Sequence, residues 1–201
     1  MKKEIIVSGV VGLLIGIIIA PFFFGMWGWS RLNWMPMMNS SVVGNIDRHF
    51  IEQMIPHHDD AILMAEIALI KAESPEIRTL AANIKRTQTE ENAKMREWYK
   101  SWAGQDVPEN VLGMGIGSGM MMNGGMMGNT TNVVSLESAK PFDKEFIEQM
   151  IPHHQMAIMM ATMLLQGTER EEMKALGQAI IDAQSNEIDQ MRSWYSAWYG
   201  N

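Results

Sequence analysis

Two histidine pairs occupy the same place in a repeated nonapeptide: FIEQMIPHH runs from Phe50 to His58 and again from Phe146 to His154. On a helix, residues three and four apart share a face, so Met54 adjoins His57 and His58, and Met64 continues that stripe two turns on. The second copy sets Met150, His153, His154 and Met160 in the same relation and adds Met156, Met159 and Met163. Imidazole with thioether, in a chain without cysteine, is a donor set for a soft cation: copper as Cu(I), with Ag(I) the alternative soft ion. Imidazole with carboxylate would suit Zn(II), Cu(II) or iron, and a di-iron bundle presents Glu-x-x-His on its helices. Three residues before the motif histidines stand Met54, Ile55, Met150 and Ile151, never Glu, which argues against a ferritin-type oxygen-activating centre.

The plainer reading is that a methionine stripe at helical spacing is core filler and that a histidine on it is a hydrogen-bonded structural residue. Position weighs against this. Four of the five histidines occupy the repeated positions, each with a methionine on the adjacent face. His49, whose counterpart is Glu145, reads as structural or surface.

The elements that hold these residues follow from the repeat. An offset of 96 residues aligns Phe50–His58 with Phe146–His154, and then Leu80, Gln88, Glu91, Met95, Tyr99 and Trp102 with Leu176, Gln184, Glu187, Met191, Tyr195 and Trp198. A duplication of this kind sets the architecture. Each copy reads as two helices. In the first, Asp47 is the expected N-cap, the helix runs to about Ala72, and Ser74-Pro75-Glu76 opens its partner with a cap, a first-turn proline and an acidic residue. In the second, Asp143 caps, Gly167 stops the helix, and Thr168 with Glu171 resembles a capping box. The partner helix has a buried seam of Ile77, Leu80, Ile84, Met95, Trp98 and Trp102, and Gln88 and Glu91 fall on it. In an antiparallel hairpin, Gln88, Glu91 and Met95 then face the first histidine pair, as Gln184, Glu187 and Met191 face the second. Pro56 and Pro152 each free the carbonyl four residues back, that of Glu52 or Glu148. The expected fold is all-α: a four-helix bundle of two duplicated antiparallel hairpins, residues 47–103 and 141–201. Between them, residues 104–140 contain GMGIGSGMMMNGGMMG, a Gly- and Met-rich linker.

The chain has 201 residues, 21 of them Met and none Cys, and a net charge of −7. The missing cysteine excludes disulfides and thiolate sites and fits an oxidising compartment. The acidic balance, without a Lys/Arg cluster, excludes a nucleic-acid partner. Ile5–Phe24 is an uncharged apolar stretch of 20 residues, enough to cross about 30 Å of hydrocarbon. Lys2 and Lys3 precede it and Trp27, Trp29 and Trp34 follow, so residues 1–26 read as a transmembrane anchor and 27–46 as a Met/Trp-rich juxtamembrane linker, with the rest outside the cytoplasm. The alternative is a cleaved signal peptide, for which the run is long and lacks a small-x-small site.

At MIPHHDDAILMA (Met54–Ala65) and MIPHHQMAIMMA (Met150–Ala161) the chain resembles the family known as domain of unknown function 305, a ferritin-like helical domain, here in two copies in tandem. The pattern is Met-Ile-x-His-His-x-x-Ala-Ile-x-Met-Ala, followed by Gln/Glu, Met and Trp on the partner helix. Members include an exported copper-binding protein, so the resemblance implies copper binding, resistance or delivery outside the cytoplasm. It carries over to Met54, His57, His58, Met64 and Met95, and to Met150, His153, His154, Met160 and Met191. Asp59-Asp60 stand where the second copy has Gln155-Met156, which makes the first site the weaker or the harder one. The expected function is non-enzymatic sequestration or hand-over of Cu(I), with a copper-donating or copper-accepting protein, or a second copy of the chain, as further partners. A metal-dependent oxidase and a purely structural protein are the alternatives.

Overall fold

A computed structural model describes residues 40–108 and 132–200. The expected anchor (1–26) and most of the two linkers lie outside the described residues. Among the described residues no helix is long and apolar enough to cross a membrane. The order is α1 (Ser40–Lys71), α2 (Pro75–Ala103), a short α3 (Val133–Ser138), α4 (Phe142–Gly167) and α5 (Glu171–Tyr199). The described residues are all-α, with α1 and α2 forming one hairpin and α4 and α5 the other. The hairpins meet mainly through α1 against α4, the two histidine-bearing helices.

The apolar residues fill two clusters, and each cluster draws on both hairpins. Met54 and Met95 of the first hairpin pack with Ala157, Met160 and Leu164 of the second. Met150 and Met191 of the second pack with Met64, Ala65 and Ala68 of the first. This exchange requires α1 and α4 to run antiparallel. Residues after the histidines of one helix then lie beside residues before the histidines of the other. Full burial of one such side chain is worth about 1.5–3 kcal/mol, so neither hairpin carries a complete core alone.

The turns depart from the sequence expectation in an instructive way. Asp47 lies inside α1, which starts seven residues earlier, and α4 has no side-chain cap bond at its start. Asp143 instead reaches the other hairpin: its two carboxylate oxygens accept from the backbone N–H of Glu73 (3.0 Å) and Ser74 (2.8 Å). Those are donors left free at the start of α2. Its repeat mate Asp47 pairs with Arg170 at 3.2 Å, at the start of α5. The Ser74 hydroxyl makes no cap bond, although Pro75 and Glu76 stand in the first turn as expected. Thr168 precedes α5 by three residues, and its hydroxyl accepts from the Arg170 N–H without closing a capping box.

One glycine is required by geometry: Gly104 ends α2 in the left-handed region at φ +67°, its N–H bonding to Lys100 O. Gly167 is the last residue of α4, where the expected stop falls, and a Cβ there would stand 2.7 Å from Ile46 Cδ1, the end of a side chain that can shift. The linker expected over 104–140 is helical at its far end: past the last glycine, Asn132 caps α3 by accepting from Ser135 N–H, and Leu136 is buried against the core. On α2 the seam runs from Met95 to Tyr99, which is fully buried, while Trp98 and Trp102 are half-exposed and stack on each other at 6.1 Å. A step of four residues continues the inward face there; the step of three turns the indoles outward.

Candidate metal centre

Pro56 and Pro152 lie within unbroken helices immediately ahead of the histidine pairs. The loss of one ladder bond at each is accompanied by a tie from the partner helix: Tyr99 donates to Glu52 and Tyr195 to Glu148, each at 2.6 Å. The sequence repeat contained both pairs, but nothing in it paired Tyr with Glu. These ties hold α2 to α1 and α5 to α4 beside the histidines.

His57 and His153 face each other where α1 crosses α4, ring centroids 3.7 Å apart and tilted by 35°. All four ring nitrogens are buried, and none has a hydrogen-bond partner. Burial, then the neighbouring imidazoles His58 and His154, push His57 down to about 3; burial and the same crowd of rings push His153 well down also. The facing histidine's backbone partly offsets this without reaching hydrogen-bond geometry. Both rings are therefore neutral at ordinary pH and keep a lone pair for a metal.

His58 and His154 differ in kind. Each is fully buried, with its Nε2 against a carboxylate of the partner helix: Glu91 at 2.8 Å and Glu187 at 2.7 Å. A carboxylate accepts, so in the neutral ring the proton sits on Nε2 and Nδ1 is left as the lone pair. That Nδ1 is buried and unpartnered in both residues. A histidine whose far nitrogen donates to a carboxylate is the arrangement that orients metal-binding imidazoles. The sequence placed Glu91 and Glu187 opposite the histidine pairs, and they are there; Arg96 on the same helix pairs with Asp59 at 3.6 Å.

Most of the candidate thioethers are buried in the same bundle. Met54, Met64, Met95, Met150 and Met191 are fully buried and Met160 nearly so. Met54, Met95 and Met160 form one group, against which the half-buried Met156 packs; Met64, Met150 and Met191 form the other. The sequence reading set Met64 with Met54 and Met160 with Met150, whereas the antiparallel crossing exchanges them. Where one group has Met156, its repeat counterpart is Asp60, which makes no hydrogen bond or ion pair among the described residues, and desolvation followed by Asp59 pushes its carboxyl up to about 7. Met159 and Met163 are exposed, at 45% and 57%. His49 is exposed and bonds to Gln53. Among the described residues no three His, Asp or Glu side chains converge on one point.

The profile of a family described as domain of unknown function, DUF305, matches residues 47–195. The chain belongs to the DUF305 family. A single match spans both hairpins, so the DUF305 domain here comprises both together. Among solved structures, CopM in a Cu(II)-bound form is 49% identical, covering 76% of this chain and 97% of that one, with a TM-score of 0.68. CopM in a Cu(I)-bound form is 48% identical, covering 77% and 98%, at 0.64. A DUF305 protein of Streptomyces coelicolor is 25% identical, covering 76% and 93%, at 0.60. An uncharacterized protein of Acanthamoeba polyphaga mimivirus is 43% identical over 51 residues, a quarter (25%) of this chain and 34% of that protein.

Proposed function

We propose that this DUF305 protein binds Cu(I), and Ag(I) as its soft analogue, in the bundle core, and sequesters or hands over the ion without chemical turnover. The observation that carries this is the state of the histidines. His58 and His154 each present a bare, buried Nδ1 held in position by a carboxylate on the far nitrogen, and His57 and His153 are neutral rings without partners. Buried lone pairs left unmet are costly, and a soft cation shared with the thioethers around them satisfies both. Solved relatives described as bound to Cu(I), Cu(II) and silver, at 47–49% identity, support the reading.

We also propose that Ile5–Phe24 anchors the chain in a membrane with the bundle outside the cytoplasm, on the strength of its apolar length and the flanking Lys2, Lys3 and tryptophans. A mature protein whose first residue follows Ala20 would refute the anchor.

The test of the metal reading is titration with Cu(I) under reducing conditions. His153→Ala with His154→Ala should sharply reduce copper uptake. Unchanged stoichiometry and affinity in that variant would remove these imidazoles from the site.

A further inference from the structure

The two ends of the bundle are built from repeat mates and are nevertheless unlike. At one end Asp143 takes two backbone N–H groups of the other hairpin, Lys71 of α1 donates to the Glu137 carbonyl of α3, and Leu136 of α3 is buried in one cluster with Ile67 of α1. At the other end Asp47, the mate of Asp143, is 1% exposed, and neither of its carboxylate oxygens accepts a hydrogen bond. The Arg170 N–H, mate of the Ser74 N–H that Asp143 takes, goes to the Thr168 hydroxyl instead. Among the described residues Asp47 pairs only with the Arg170 side chain, whose Nε stands 3.2 Å away and whose guanidinium lies 3.9 Å over the Trp102 ring. That side chain is itself 38% exposed.

A buried acceptor without a donor costs free energy, more so when it is charged, and water admitted at this end would supply donors. Local opening draws on the least stable part of a structure, so the helices part here before they part at Asp143. Opening matters because Met54, Met95, His58 and His154 have no exposed surface.

A row of thioethers leads to them from the same end. Met156, Met159 and Met163 follow one another on α4 at steps of three and four residues and so share a face. Met163, one turn before the end of α4, is 57% exposed, Met159 is 45% exposed, and the half-buried Met156 packs against the cluster of Met54, Met95 and Met160. The corresponding residues of α1 are Asp60, Leu63 and Ile67, which carry no sulfur, and Ile67 is buried. The second hairpin alone therefore carries a series of soft, flexible donors from surface to core.

We propose, on the reading that the core binds Cu(I), that the ion enters and leaves at this end. Met163 and Met159 receive it at the surface and pass it to Met156. Arg170, which joins Asp47 of α1 and Trp102 of α2 to the start of α5, is the latch whose release lets it through.

The experiment follows transfer of Cu(I) from a coloured chelator complex to the full chain, and back, under reducing conditions. Met159→Leu with Met163→Leu changes only exposed side chains and should slow transfer about tenfold while the copper bound tightly at equilibrium stays the same. Arg170→Ala should speed both uptake and release about threefold, as loosening a gate does. Circular dichroism checks that it keeps its helices; if it does not fold, Trp102→Leu, which removes only the surface beneath the guanidinium, should have the same effect. In the metal-free chain, amides of Met163–Gln166 should exchange about tenfold faster than those of their repeat mates Ile67–Ile70. Copper bound at an unchanged rate by the Met159 and Met163 variant would overturn the route. Unchanged rates in the folded latch variant, or equal amide exchange at the two ends, would overturn the latch. No Cu(I) uptake by the unmodified chain would remove the copper reading itself, and the route with it.

Discussion

His57 of the first hairpin and His153 of the second lie ring against ring at 3.7 Å, and that one contact joins the two halves of the repeat at the centre of the core. Because the helices cross there in opposite directions, every other pairing in the centre follows from it. Met64 goes to the group of Met150, Met160 to that of Met54, Asp143 to the turn before α2, and Asp47 to Arg170 at the start of α5.

The buried rings make stability depend on pH. His57 takes its proton near pH 3 in the folded chain but at its ordinary value near 6.5 when unfolded. The unfolded state therefore gains protons first as pH falls, and stability is full above the ordinary value and lost progressively down to about 3. The slope is at most about 1.4 kcal/mol per pH unit for each such histidine. Denaturant unfolding at pH 7, 5 and 4 should show this loss, and His57→Leu with His153→Leu should flatten it.

Asp60 acts in the opposite sense. Its folded value of about 7 lies above the ordinary 3.8, so it costs stability at pH 8, and the cost fades as pH falls through 7 towards 3.8. Asp60→Met, which restores the residue type of its repeat mate, should stabilise the protein more at pH 8 than at pH 4. In Cu(I) titrations the same variant should tighten binding by the half that contains Met150.

The exchange of methionines is open to double-mutant cycles. Met64→Ala and Met150→Ala, residues of one group, should be non-additive by about 0.5–3 kcal/mol, whereas Met64→Ala and Met54→Ala should add within about 0.5 kcal/mol. Chemical denaturation of the single and double variants gives both numbers, and the reverse pattern would contradict the crossing.

Asp143→Ala removes the acceptor for two N–H groups at the start of α2. The cost should be about 1–2 kcal/mol, the scale of a lost helix cap. Amide hydrogen exchange should locate the loosening at Glu73 and Ser74, in the other hairpin, and leave the first turn of α4 unaffected.

Glu91→Gln tests the carboxylate behind the imidazole. The amide can turn its donor toward Nε2 and release the fixed tautomer, so Cu(I) affinity in that half should fall about 10- to 100-fold, the usual effect of losing such a partner. Near-unchanged helicity with weakened Cu(I) binding is the expected outcome.

The sequence by itself determined the helices, the duplication and the donor types. Periodicity and the repeated nonapeptide placed His57, His58, His153 and His154 inward, and hairpin geometry set Glu91 and Glu187 against them, because contacts within a hairpin follow from helical rise and a short turn. Tertiary structure alone decided what crosses between hairpins: the stacking of His57 on His153, the exchange of Met64 and Met160, and the capping of α2 by Asp143. A one-dimensional pattern records which face of a helix is apolar but not the direction in which a distant helix passes over it. Only the packing of α1 on α4 fixes that direction, and with it the sharing of each site between the two halves.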